Sequence, residues 1–315
     1  MAKLKALLLT EGYHGMISQA EGLAKALQTE FQHKIVRLNW PWNFIPPKLT
    51  PISEIILKDK HYINENKSFD LVISCGRKSV IPSAIIKKKN TNIFTIHIQD
   101  PKVNYKNFDV IIAPEHDDLK GENVISSKGS IHYITQSEIE KAKNYLVNKF
   151  QNENVVSLIL GGPSKHYSFS NEELTQVFRK IKSNFISQGH KVLVIPSMRT
   201  PKRIIDLAMK EFVKEGFVVN TVDKQAYLSA LALATNIVVT CDSTSMISEA
   251  AASGKPIFVA HMEPKKNNYR FEKFFQLFRE MGITKVLGEK VDNWTYNRFN
   301  EADRIATLMR KKLTN

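Results

Sequence analysis

Short, continuously apolar runs alternate along the chain with longer stretches of helical period, and that alternation predicts parallel strands covered by helices on both faces. In the first half the runs are KALLLT from Lys5, HKIVRLN from His33, DLVISCG from Asp70, NIFTIHI from Asn92 and DVIIAP from Asp109. One helix is expected over about Ile17 to Leu27, and another opens after Cys75 and Gly76 and ends in the lysines that begin at Lys87. Pro41, Pro46, Pro47 and Pro51 mark a loop after the second run. Near Ile134 the pattern changes to the polar, helix-forming SEIEKAKNYLVNKF, followed by Gln151, Asn152, Glu153 and Asn154. The pattern then starts afresh: VVSLILGGP, a helix through Phe178 and Phe185, KVLVIPS, another helix, FVVNTV, an alanine-rich helix, NIVVTCDS and GKPIFVA.

Two halves with the same pattern, in a chain of 315 residues, predict an α/β protein of two Rossmann-like domains facing a central cleft. The division is drawn at 1–140 and 141–315, with the terminal helix packing back on the first domain. No short repeat appears, which excludes solenoids and propellers.

Composition adds boundaries. No apolar run approaches the roughly 20 residues of a membrane-spanning helix, and the basic-then-apolar start reads as a first strand because it runs into Thr10, Glu11 and Gly12. Two cysteines, Cys75 and Cys241, end apolar runs and show no paired or ligand spacing, which suits a reducing, cytoplasmic compartment. The net charge of +14 suits an anionic partner, either phosphorylated substrates or an anionic membrane surface at the inner face of the membrane. It is equally the mark of lysines spread over solvated helix faces. Nucleic acid is not expected, for want of zinc spacing, RNA-binding aromatics or an arginine-rich tract. Neither a metal nor a bound cofactor is expected: no ligand cluster, Walker loop or G-x-G-x-x-G after the first strand occurs.

The run from Asn236 to Ala260 is the richest in chemistry. A buried strand ends at Cys241, and Ser243, Thr244 and Ser245 offer hydroxyls together with the unpaired N–H groups and positive dipole of a helix start, a phosphate-binding arrangement. Glu249, one turn after Ser245, can accept from a ribose diol. Ser-x-x-Glu is also an ordinary capping box, and spacing alone leaves the two readings level. The stretch resembles the donor-binding element of glycosyltransferases of the GT-B architecture. Where that element usually carries a glycine, this chain has Asp242, Ser243 and Thr244, and a carboxylate beside a phosphate is repulsive unless it caps the helix.

Taken with LILGGP around Gly161 and Gly162, VIPSMRTP around Ser197 and Arg199, and IHIQDP around His97, the run DSTSMISEAAASGKPIFV resembles the Elm-type mitochondrial fission family. The resemblance covers most of the chain in order. It implies a GT-B-like fold and either a relative of nucleotide-sugar enzymes or a peripheral membrane factor.

Other turns are weighed the same way. Gly161 and Gly162 either let a ligand approach the backbone or make a tight turn before a helix capped by Ser170. Arg199 pairs with a phosphate or is a surface arginine before the helix at Pro201. Gly12, His14 and Gly15 stand between the first strand and its helix in a flexible loop, where His14 or Glu11 can serve as a catalytic base, or His14 can be polar surface. Gly76, Arg77 and Lys78 suit an anionic ligand at a helix start, and His97, Gln99 and Asp100 line a cleft or make a turn. The reading that results is a protein binding a nucleotide-sugar-type small molecule, as a metal-independent glycosyltransferase. A non-catalytic peripheral-membrane adaptor and a nucleotide-sugar epimerase are the alternatives.

Overall fold

The computed structural model describes residues 3–64, 68–150, 153–288, 291 and 294–313; Gln151 and Asn152 of the stretch before the second half lie outside them. By internal contacts the chain divides into two units, Met1–Tyr133 with Asn300–Asn315, and Ile134–Phe299.

The first unit is a parallel sheet of β1 (Lys5–Thr10), β2 (Glu30–Ile35), β3 (Leu71–Cys75), β4 (Phe94–Ile98), β5 (Val110–Pro114) and β6 (Val124–Ser127), in the order β2-β1-β3-β4-β5-β6. Its central strands, β1, β3, β4 and β5, are apolar at odd and even positions because both faces are covered. Ala6 and Leu8 join Ile73, Cys75 and Ile96 in one core, and Leu7 and Leu9 join Val72 and Ile111 in the other. α1 (His14–Ala26) covers the first core with Ala20, Leu23 and Ala24. The short α2 (His61–Asn64) and α3 (Val80–Lys89) cover the second with Tyr62, Ile63, Ile81 and Ile85. The helix Glu301–Leu313, which ends the described chain, adds Ala302, Ile305, Ala306 and Met309 to the first core. Gly22 lets α1 pass close to the chain before Ile134, since a Cβ there would lie 2.4 Å from the His132 carbonyl oxygen.

Two boundaries differ from the sequence pattern. α1 starts at His14, because the Tyr13 carbonyl already accepts from the Met16 and Ile17 N–H groups at 2.9 and 3.0 Å. β2 covers Glu30–Ile35 and pairs only with β1, whose last residue, Thr10, faces Ile35. The later part of HKIVRLN leaves the sheet, and Leu38 bridges Leu57 instead.

The second unit carries α4 (Gln136–Ala142), β7 (Val155–Leu160), α5 (Asn171–Asn184), β8 (Lys191–Pro196), α6 (Lys202–Glu211), β9 (Gly216–Val218), α7 (Lys224–Leu233), β10 (Ala234–Thr240), α8 (Thr244–Ala251), β11 (Ile257–Ala260), α9 (Tyr269–Glu280) and β12 (Thr284–Val286); α10 is Glu301–Leu313 of the first unit. The sheet is again parallel, β12-β11-β10-β7-β8-β9. Counted from its own first strand that order is the doubly wound dinucleotide-binding one, with its direction reversing between β7 and β10. In the first unit the reversal falls between β1 and β3. Helix starts are fixed locally: Thr135 with Glu138 and Ser170 with Glu173 form capping boxes on α4 and α5, and Asp223 caps α7. Among the described residues no helix is long and apolar enough to cross a membrane.

Candidate functional site

Ligands of open α/β sheets lie outside the carboxyl ends of the strands where the strand order reverses. In the second unit that point gathers Thr240 at the end of β10 and Asp242 after it, Gly161 and Gly162 after β7, and Arg199 and Thr200 after β8. Thr240 Oγ1 accepts from the Gly161 N–H at 2.8 Å and donates to Asp242 Oδ1 at 2.7 Å. Asp242 Oδ2 accepts from the Gly162 N–H at 3.3 Å and from Arg199 Nη2 at 2.5 Å, and Arg199 Nη1 donates to the Gly162 carbonyl at 3.3 Å. Thr200 Oγ1 donates to the Leu160 and Gly161 carbonyls at 2.8 and 2.7 Å and accepts from the Ser197 N–H at 2.8 Å.

The glycines are required by contact within the protein. A Cβ on Gly161 would lie 2.0 Å from Asp242 Oδ1, and one on Gly162 would lie 1.9 Å from the Arg199 carbonyl oxygen. The Asp242 side chain is fully buried, and burial raises its carboxyl above the usual range against the opposing pull of Arg199, Thr240 and the Gly162 N–H. The guanidinium gives Asp242 a fixed counter-charge and stays partly exposed.

Asp242 is not the helix cap. Ser243 caps α8, accepting from the Met246 N–H at 3.3 Å, so of the three hydroxyl residues only Thr244 and Ser245 stand inside the helix. Glu249, half-buried one turn after Ser245, accepts from the Tyr227 hydroxyl at 3.0 Å. Burial pushes its carboxyl up to about 7, with the Tyr227 hydrogen bond pulling the other way.

The reversal point of the first unit is built alike. Glu11, after β1, accepts from the Lys78 N–H at 3.0 Å and lies 3.8 Å from the Lys78 ammonium. Gly76 has φ +95°, a left-handed conformation that favours glycine. Arg77 is exposed and tied to the neighbouring loop: its Nη1 and Nη2 donate to the carbonyls of Ile45 and Asn43 at 3.0 and 2.5 Å. His14 and Gly15 belong to the first turn of α1, not to a flexible loop, for the reason given above. His14 is exposed, with Nε2 3.4 Å from the Tyr133 hydroxyl, and nothing lies within 4 Å of a Cβ on Gly15. Gly12 has φ +88° and donates its N–H to Thr10 Oγ1 at 3.1 Å.

The structure therefore brings Gly161, Gly162, Ser197 and Arg199 into one network, and groups Glu11 with Gly76 and Lys78 in another. Thr200, which the sequence places beside Ser197 and Arg199, joins the same network, and Thr240 and Tyr227 are additions that the sequence did not single out; each acts through a partner at least 22 residues away in the chain. His97 is buried and held at 2.9 Å from Ser74 Oγ, and burial lowers its pKa to about 3. Asp100 makes the turn that follows, accepting from the Lys102 N–H at 2.9 Å. A pocket of about 360 Å³ opens elsewhere in the second unit, lined by His261, Phe275, Arg279 and Lys285. Cys75 and Cys241 are free and buried, with Cys241 raised to about 12 by burial. Among the described residues, no three His, Cys, Asp or Glu side chains stand together as a metal site would need.

The chain is similar to known proteins over most of its length. It is 27% identical to an uncharacterized protein of Rickettsia prowazekii (strain Madrid E), over 76% of this chain and 79% of that one. It is 24% identical to the Mitochondrial fission protein ELM1 of Arabidopsis thaliana, over 77% of this chain, and spans 64% of the Arabidopsis protein's length. Among solved structures, UDP-GlcNAc 2-epimerase from Neisseria meningitidis bound to UDP-GlcNAc matches with a TM-score of 0.56 at 13% identity, over 99% of this chain and 100% of that one. At that identity the likeness is one of fold, which is α/β of the GT-B type. The sequence pattern of the Mitochondrial fission ELM1 family matches residues 14–313, and the chain belongs to that family.

Proposed function

We propose that the second unit holds a nucleoside-diphosphate sugar outside the carboxyl ends of β7 and β10, and that the protein transfers the sugar without a metal ion. The observation that carries this reading is the Asp242–Arg199 pair at the strand-order reversal. A buried carboxylate fixes the guanidinium on one edge, and the remaining N–H groups of the fork are free to meet a diphosphate. Asp242 is thereby removed as a source of repulsion, since its charge is opposed by Arg199 and by the Gly162 N–H. The start of α8, at Thr244 and Ser245, adds N–H groups and a favourable dipole on the same turn. Glu249 takes a ribose hydroxyl on Oε1 while Tyr227 holds Oε2. The GT-B type of fold supports the ligand class, because the Neisseria protein of that fold is seen with UDP-GlcNAc.

In this reading Arg199 and the helix start stabilise the leaving diphosphate as negative charge collects on it. Within the first unit, His14 is the proposed general base, its imidazole exposed on the first turn of α1, and Glu11 positions the Gly76 turn through the Lys78 N–H. The test is calorimetric titration with UDP, GDP, CMP and ADP and their sugars. One nucleotide is expected to bind, with Arg199→Ala weakening it about 10-fold or more, the scale of a lost charge-assisted hydrogen bond. Absence of binding to every nucleotide, or equal binding by Arg199→Ala and Glu249→Ala, overturns the proposal. Product analysis in the presence of a chelator separates transfer from epimerisation.

A further inference from the structure

The loop that follows β2 presents Trp40, Phe44, Leu49 and Ile55 to solvent, at 81, 79, 71 and 66% exposure. Single exposed apolar residues are ordinary, but four large ones on one loop mark a surface that meets something else. The loop itself is not loose. Arg77 grips the carbonyls of Asn43 and Ile45. The Asn39 N–H donates to the Ile56 carbonyl at 2.8 Å, and Asn39 Nδ2 donates to those of Ile55 and Leu57 at 3.1 Å each. Thr50 Oγ1 closes the turn on the Pro46 carbonyl at 3.0 Å. Beneath these bonds Pro47, Ile56 and Leu57 are buried, so the chain has apolar side chains enough for the interior and holds the other four outward.

Charge selects the partner. Residues 37–60 carry Arg37, Lys48, Lys58 and Lys60 against two carboxylates, Glu54 and Asp59, and Glu54 is already paired with Lys89. Tryptophan and phenylalanine flanked by cations suit the boundary between headgroups and acyl chains, where rings settle among the headgroups and ammonium groups meet lipid phosphates. We infer that this loop docks the protein on an anionic phospholipid bilayer, with Trp40, Phe44 and Leu49 entering the headgroup layer without spanning it. The inference does not rest on the nucleotide site, and either can fail with the other intact.

The test uses the full chain with vesicles of phosphatidylcholine alone or mixed with phosphatidylglycerol. Co-sedimentation is expected with the mixed vesicles, weakening as salt rises, and brominated acyl chains are expected to quench tryptophan fluorescence. The triple variant Trp40→Ser/Phe44→Ser/Leu49→Ser is expected to lose affinity about 10-fold or more. Trp40→Phe should keep binding and lose most of the quenching. Lys48→Glu/Lys58→Glu, which leaves the apolar residues in place, should weaken binding to the mixed vesicles alone. Equal binding by parent and triple variant overturns the inference. So does a parent that ignores both kinds of vesicle, including the case in which sedimentation velocity shows the loop pairing two copies of the chain. Nucleotide titration of the same samples is expected to be unchanged, which separates this result from the fate of the nucleotide site.

Discussion

A carboxylate at the mouth of an anion-binding turn is tolerable only if its charge is already answered, and Asp242 is answered three times, by Arg199, Thr240 and the Gly162 N–H. Glu249 is the opposite case, with a single hydrogen-bonding neighbour among the described residues, Tyr227, and a carboxyl raised from 4.5 to about 7 by burial. The sign of its effect follows. The folded protein keeps this proton over the interval in which the unfolded chain has lost it, so the stabilisation is complete below pH 4.5 and is lost as pH rises to about 7. Glu249→Gln stays neutral throughout, and relative to the parent it should gain on the order of 1–2 kcal/mol between pH 4.5 and 8, a figure reduced for the group's partial exposure. Urea midpoints across that range check it; parallel curves for parent and variant would contradict the assignment. The sequence made Glu249 and Arg199 legible as polar residues after apolar strands. It left Asp242 as a repulsion, because the partner that neutralises it stands 43 residues earlier and only the fold joins them.

At the scale of elements, the glycine pair after β7 was legible as a place of close approach, and what approaches is the neighbouring turn. Gly162→Ala sets a Cβ 1.9 Å from the Arg199 carbonyl oxygen and forces two backbones apart, which should cost about 2–4 kcal/mol. Gly15→Ala meets nothing within 4 Å in the first turn of α1 and should be neutral or stabilising by up to about 1 kcal/mol. Denaturant melts of the two variants check the contrast, and equal stabilities would show that the turn can open. The central strands were readable for the reason their cores give: burial on both faces leaves an unbroken apolar run. β6 and β12 escaped, since each is short, lies at a sheet edge and takes its conformation from one neighbour. β2, another edge, was read too far along the chain because Val36 and Leu38 are buried without being in the sheet.

For the whole molecule, repetition of one pattern made two α/β units legible, whereas the path of the chain between them is a matter of which residues touch. Ala302, Ile305, Ala306 and Met309 complete a core begun by Ala6 and Leu8, with the entire second unit between them in sequence. A chain ending at Phe299 should therefore lose hydrogen-exchange protection in β1 and β3 while β7 and β10 keep theirs. Protection retained in all four strands would mean that α10 is dispensable. The same seam governs how the protein is made. On the ribosome the first sheet is synthesised early but lacks α10 until the whole second unit has been translated, so the nascent first unit must wait half-built while the second, continuous in the chain, can fold as it emerges. Its exposed leucines and isoleucines during that wait make it the part of the newborn chain with most need of a chaperone.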